Sequence, residues 1–209
     1  MLGLVGAAHS SQTNTFCWSL LHSLKAGILP ELRRQTSNDL LKAVFRETGR
    51  LYTGLLIIRR VMAPQMLLGK YIPAGTYVAC SPLMTSLDPN VFPEPEKFRP
   101  QRWLTESGHY DDVKIVKMQT KGESSQFGKG QHKCLGQKLA KLLIVNTWWP
   151  MILGDKTNPG YDMEIISGIK EGVGMDNVGV RAAWATHNTG TPFQLGEAVK
   201  VKFSRRKVD

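Results

Sequence analysis

Cys134 sits in the stretch FGKGQHKCLG (Phe127–Gly136), with glycines at positions 128, 130 and 136 and an apolar, helix-forming run behind it. At average glycine usage, three glycines at fixed positions arise about 3 times in 10⁴ trials, so composition alone does not produce the pattern. A cysteine is a metal ligand only as its thiolate, and a free thiol has a pKa of ~8.5. At the mouth of a helix over Leu135–Trp149 the sulfur meets backbone N–H groups and the positive end of the dipole, both of which favour the thiolate. Gly128 and Gly130 open backbone conformations closed to other residues and let the loop approach a flat ring, and Gly136 lets the helix approach the same ring. A thiolate bound to haem iron is the chemistry such a loop suits. A buried structural cysteine ahead of a core helix is the competing reading.

A second constellation is ETGR, where Glu47 and Arg50 lie three residues apart and so share a helix face as an ion pair. Between Lys117 and Lys141 there are six lysines and one acid, Glu123. A run of that kind is a solvated surface, an electrostatic landing face for an acidic partner, or both.

The elements that must position these groups can be read from periodicity. Leu2–Leu24 is apolar at helical intervals, with the polar patch HSSQTN (His9–Asn14) set into it, and Gly27 and Pro30 mark its end. A second helix is predicted over Asn38–Tyr52, with Thr36 and Asp39 as a capping box and Leu40, Leu41, Val44, Phe45 and Leu51 as the buried stripe. Gly49 inside it costs roughly 1 kcal/mol relative to alanine. Residues 55–80 read as β structure turning at Pro73-Ala74-Gly75. Residues 88–103 hold four prolines and are expected to meander. The helix after Cys134 should stop at Pro150, and the loop-rich tail from Gly154 should close on a hairpin over Phe193–Phe203.

The bulk properties narrow the class. A chain of 209 residues, 42% apolar and 21% charged, can bury a core and is not disordered in composition. Net charge of +10 admits acidic proteins, nucleic acid or an anionic membrane surface as partners. No aromatic residues interleave with the lysines and no nucleic-acid motif is present, so nucleic acid is not an expected partner. Cys17, Cys80 and Cys134 are odd in number and widely spaced, which argues against a disulfide framework or a CxxC zinc site and makes a reducing compartment the default. No apolar run reaches the ~18 residues of a spanning helix. Met1–Ala8 is too short and lacks the basic flank of a signal peptide, so no membrane anchor is expected.

FGKGQHKCLG resembles the haem-binding signature FxxGxxxCxG of the cytochrome P450 superfamily at every defining position. ETGR matches the ExxR motif of that family's K helix, and FRPQRW (Phe98–Trp103) is similar to its F-x-P-x-R-W segment. The resemblance implies a mainly α fold with small β-sheets, the carboxyl half of the cytochrome P450 fold. It divides the chain into an I-helix remnant (1–25), the K helix (37–52), a β region (55–80), the meander (88–103), the haem loop with the L helix (127–149) and C-terminal loops with a hairpin (154–209). It implies haem b on Cys134, with Phe127, Gly128 and Gly136 shaping the loop. His132 and Arg59 would hold the haem propionates, and Arg60 competes with Arg59 if the register slips. Arg102 would complete a Glu47–Arg50–Arg102 network. His9 and Ser10 stand where the family delivers protons to bound oxygen, in a pattern like that of sterol 14-demethylases and fungal relatives; Ser10 would hold a water and His9 relay the proton. Polar residues turned to solvent are the plainer explanation of that pair.

The implied activity is oxidation of an apolar small molecule, such as a sterol, terpenoid or other secondary metabolite, with O₂ and electrons from NADPH through a flavoprotein reductase. That reductase would dock where Lys129, Lys133, Lys138 and Lys141 ring the cysteine. The cytoplasmic face of the endoplasmic reticulum is the implied location, or the cytoplasm without an anchor. The chain also departs from the pattern. The resemblance begins within the I helix, the interval from His9 to Glu47 is short so that the J-helix region is expected to be missing, and Thr53-Gly54 replaces a usual proline. A truncated, inactive haem-binding remnant or interaction module, or a chain completed by a second polypeptide supplying the amino half, is therefore the alternative.

Overall fold

The helix carrying Glu47 and Arg50 is the element on which the other described parts converge. In the computed structural model, which describes residues 2–52, 56–124, 126–155, 157–167 and 199–207, the first helix is α1 (Leu2–Lys25). The short helix α2 (Leu29–Arg34) follows, and then α3 (Asp39–Leu51). Leu40, Leu41, Val44 and Phe45 of α3 join Leu20, Leu29 and Leu32 from the two preceding helices in one apolar cluster. Ala43 turns the opposite way, into a second cluster with Phe92, Trp103, Ile115 and Met118. With neighbours on both sides, α3 buries even its polar residues Arg46, Glu47, Thr48 and Arg50. A helix buried all round must pair its charges internally.

Two local expectations are corrected here. Pro30 opens a helix as well as closing a turn, because its fixed φ suits the first turn of α2, where a missing N–H costs nothing. The capping box from Thr36 does not form. The Leu40 N–H donates instead to the Gln35 side-chain oxygen at 3.2 Å, and the Asp39 N–H to the Ser37 hydroxyl at 3.4 Å.

The β region holds β1 (Ile57–Arg60), β2 (Gln65–Leu67), β3 (Lys70–Ile72) and β4 (Tyr77–Cys80). β1 pairs antiparallel with β4, from Ile57↔Cys80 to Arg60↔Tyr77. β2 and β3 form a hairpin through Leu68 and Gly69, both at positive φ (49° and 75°), as a two-residue turn of matching twist requires. After the short helix α4 (Pro82–Ser86), the proline-rich segment wanders to a single tight turn at Pro100–Trp103. α5 (Asp112–Lys121) had no counterpart in the sequence reading, although Asp111 caps it by accepting from the Lys114 N–H at 2.9 Å and Gly122 ends it.

Pro150 does not stop the helix beyond the cysteine. α6 (Gln137–Leu143) passes into a wider π turn (Ile144–Trp148), and α7 (Trp149–Leu153) continues with Pro150 in its first turn. The wider turn resets the hydrogen-bond ladder so that the proline falls where no donor is needed. It also keeps Ile144, Val145 and Trp149 fully buried in the cluster against α3. In the tail, β5 (Tyr161–Ser167) pairs with β6 (Lys200–Arg205), Tyr161↔Arg205 to Ile165↔Val201, a long-range pairing the sequence reading did not include. The expected hairpin's residues 193–198 lie outside the described residues.

Leu40 is completely buried and Leu68 is 96% exposed. Leu40→Ala should therefore lower the unfolding free energy by about 3 kcal/mol, and Leu68→Ala should change it by less than ~0.5 kcal/mol. Urea titrations of the two variants measure the contrast, and equal effects would contradict this placement of the core.

Candidate functional site

Glu47 is fully buried and its carboxylate receives five donors. Arg50 donates through Nε to Oε2 at 2.9 Å and through Nη2 to Oε1 at 2.8 Å, a two-pronged pairing within one helix face. Arg102 Nε reaches Oε1 at 2.9 Å, the Arg99 backbone N–H reaches it at 3.0 Å, and the Trp103 indole N–H donates to Oε2 at 2.8 Å. Donors of this kind stabilise a carboxylate that burial would otherwise penalise.

The remaining guanidinium hydrogens hold the meander. Arg50 Nη1 donates to the carbonyls of Ser86 (2.6 Å) and Pro95 (2.7 Å), and Arg102 Nη1 to that of Pro93 (3.1 Å). A proline-rich segment lacks strand partners, and its inward carbonyls must be satisfied by side chains. Phe92 lies over both cations, 5.0 Å from Arg50 and 5.9 Å from Arg102, and packs against Trp103. The structure thus brings Glu47, Arg50 and Arg102 together. Sequence reasoning missed the Arg99 N–H and the Trp103 indole, although the latter sits beside Arg102 in FRPQRW.

The cysteine loop is tied to the same helix. Phe127 lies against Phe45 of α3, with ring centroids 5.9 Å apart, and its carbonyl accepts the Cys134 N–H at 2.7 Å. Gly128 holds φ at +71°, and a Cβ there would stand 3.1 Å from the His132 carbonyl, so the tight return of the loop needs a glycine. A single turn at Gly130–His132 leads to Cys134, which is exposed and not in a disulfide. The helix beyond the cysteine starts two residues later than expected, and a Cβ on its N-cap residue Gly136 would stand 3.8 Å from the Cys134 sulfur. A turn at Leu135-Gly136 intervenes and α6 starts at Gln137, with Gly136 at its N-cap.

Among the described residues no three His, Cys, Asp or Glu side chains cluster as a metal site. A lone sulfur cannot complete the roughly four ligands a bare zinc-like ion takes. It fits a metal whose other ligands arrive in a macrocycle. The surroundings fit a flat apolar group as well. Leu135 is 98% exposed next to the sulfur, and Leu139 and Leu142 share an uncovered face of α6.

The other expected residues are more scattered. His132 is exposed, and so is Arg59 on β1, whose Nη1 donates to the Ile58 carbonyl. No described hydrogen bond or ion pair joins Arg59, Arg60 or His132 to Cys134. His9 is exposed on α1, and the Ser10 side chain lies outside the described residues. The histidine that α1 buries is His22, which sequence reasoning treated only as part of the apolar helix. His22 hydrogen-bonds the Tyr52 hydroxyl and stacks on Phe98 at 4.6 Å, while Trp18 stacks on Tyr52 at 4.1 Å. Burial, with Lys25 and Arg50 adding to it, pushes the His22 pKa down to about 3. Lys129, Lys133 and Lys138 are exposed near the cysteine, while Lys141 leans over the Tyr110 ring at 5.2 Å.

A family model described as Cytochrome P450 matches residues 27–145, which include Glu47, Arg50, Arg59, Arg102, His132 and Cys134 but not His9 or Ser10. The chain is 30% identical over 158 residues to Cytochrome P450 monooxygenase pytD of Aspergillus terreus, covering 67% of this chain and 40% of that protein. It is 30% identical over 175 residues to Lanosterol 14-alpha demethylase of Cunninghamella elegans, covering 68% of this chain and 34% of that protein. The crystal structure of CYP175A1 from Thermus thermophillus superposes with a TM-score of 0.50 at 29% identity, over 66% of this chain and 32% of that one. The chain therefore spans two fifths or less of the length of these relatives.

Removing charge from the Glu47 site should be far worse than removing one donor. Glu47→Gln leaves Arg50 buried beside a neutral amide and should cost about 3–5 kcal/mol, against about 1–1.5 kcal/mol for Trp103→Phe; comparable losses in urea unfolding would refute the hierarchy. His22 provides a second check. It is neutral in the folded chain down to about pH 3, whereas the unfolded chain takes up this proton near ~6.5. Its contribution is therefore complete above ~6.5 and declines toward pH 3, by at most ~1.4 kcal/mol per pH unit. His22→Phe should flatten that decline; identical slopes in both proteins between pH 7 and 4 would show that another group is responsible.

Proposed function

This chain belongs to the cytochrome P450 family, and from that premise we propose that it is the haem-holding portion of a haem-thiolate monooxygenase acting on an apolar small molecule. One observation carries the reading: an exposed cysteine sits in a glycine loop anchored on the helix of the Glu47 network, followed in the chain by exposed Leu135, Leu139 and Leu142. Bound haem b would supply activation of O₂ for insertion of one oxygen atom, with electrons passed from NADPH by a flavoprotein reductase.

The chain's own residues would do the rest. Cys134 would be the axial ligand, and its thiolate would donate electron density to the iron. Gly128 keeps the loop tight enough to lie against the ring, and Gly136 adds no side chain beside the sulfur, from which a Cβ would stand 3.8 Å. His132 and Arg59 would neutralise the propionates, and His9 and Ser10 would move protons from α1. The exposed Lys129, Lys133 and Lys138 offer an acidic reductase an attractive face. A sterol, terpenoid or other secondary metabolite is the proposed substrate class, and the name of the lanosterol demethylase among the relatives supports the sterol. The cytoplasmic face of the endoplasmic reticulum is the proposed location, with the cytoplasm as the alternative. No described helix is long and apolar enough to cross a membrane.

The exposure of Leu135, Leu139 and Leu142 favours a second reading. In it the chain binds haem without activity, or works only with a second polypeptide covering that surface. Reconstitution with haem decides the first question. The reduced, CO-bound protein should show a thiolate-type Soret band that is lost in Cys134→Ser. A chain that takes up no haem would refute the assignment, and a spectrum unchanged by Cys134→Ser would remove Cys134 from it.

A further inference from the structure

We propose that Gln126 and Gly49 form a size-matched pair that seats the cysteine loop on α3, making Gln126 a positioning residue for Cys134. Phe45 and Gly49 are four residues apart and so lie one above the other on a single face of α3. Phe127 occupies the Phe45 turn, with ring centroids 5.9 Å apart. Its neighbour Gln126 occupies the Gly49 turn. A Cβ on Gly49 would stand 2.5 Å from the Gln126 amide nitrogen and 2.8 Å from its Cδ, closer than real Cβ atoms come. Two consecutive loop residues thus grip two consecutive turns of the helix. The grip continues to the sulfur-bearing residue, because the Phe127 carbonyl accepts the Cys134 N–H at 2.7 Å.

Shape holds this contact. Both polar atoms of the Gln126 amide are buried without a hydrogen-bond partner, an arrangement that burial alone disfavours. Glycine inside a helix is likewise unfavourable relative to alanine. Each residue is a poor local choice, and together they fill one space. The Gln126 amide ends a flexible side chain and can swing away from an added methyl group, but only by leaving the notch, and the loop then keeps one grip instead of two.

The consequence for Cys134 rests on its reading as the haem ligand, and the test separates the two. Thermal unfolding of the haem-free chain examines the pair alone. Gly49→Ala should lower Tm by about 3 °C when Gln126 is present and raise it in the Gln126→Ala background. Haem transfer to excess apomyoglobin examines the consequence. Gly49→Ala and Gln126→Ala should each speed haem loss by about tenfold or more and shift the reduced, CO-bound Soret band. Gln126→Met, unbranched and of similar length, should restore both. An equal rise in Tm on Gly49→Ala in the two backgrounds overturns the pair. Coupling in Tm with unaltered haem loss and spectra overturns the positioning role. No haem uptake by the unaltered chain overturns the reading of Cys134 and the positioning role together, while the Tm cycle still decides the pair.

Discussion

A fully buried carboxylate is costly in any protein, and in this one Glu47 makes that cost the organising constraint of the fold. Its five donors come from three places: its own helix, the backbone at Arg99, and the Arg102-Trp103 step. None of them can be moved without leaving charge in a low-dielectric interior, so the meander has one acceptable position relative to α3. The arginines extend that demand outward. Their remaining hydrogens satisfy carbonyls of a segment whose prolines deny it a ladder of its own. Polar satisfaction thus does for residues 88–103 what a sheet does elsewhere.

α3 consequently works as a two-sided spine. One side binds the meander through charge, and another holds the cysteine loop through Phe45, Gly49 and their loop partners. The loop itself has little regular structure, a single turn and one backbone bond closing Phe127 onto Cys134. A side chain on so short a tether is only as well placed as the helix beneath it. The π turn after α6 serves the same end, since it lets the chain carry Pro150 and still bury Trp149 against the spine.

The uncovered apolar surface has a different distribution. Leu135, Leu139 and Leu142 are exposed in the turn and helix that follow the cysteine, and Ile58, Met66 and Tyr71 are exposed on the small strands. Two-stranded sheets with apolar residues in solvent are marginal by themselves. The chain also spans two fifths or less of its relatives. Both facts agree with the proposed haem-holding portion of a longer fold, whose uncovered surfaces would be met by haem or by further polypeptide.

The sequence by itself determined the residues able to do the chemistry and the elements beneath them. The cysteine among glycines, ETGR and FRPQRW are short-range patterns, and α1 and α3 carry enough apolar periodicity to be read within a few residues of their ends. Arg59 and His132 were legible only through the family resemblance, and nothing in their described contacts yet singles them out. The tertiary structure decided what depends on partners far along the chain. It chose Arg99 and Trp103 as donors to a carboxylate some fifty residues earlier, buried His22 rather than His9, and paired β5 with β6. It also turned Pro150 from a terminator into a first-turn residue. The physical reason is the same in each case: spacing along a chain sets which side chains share a face, but hydrogen-bond satisfaction and burial are properties of whatever comes to lie against that face.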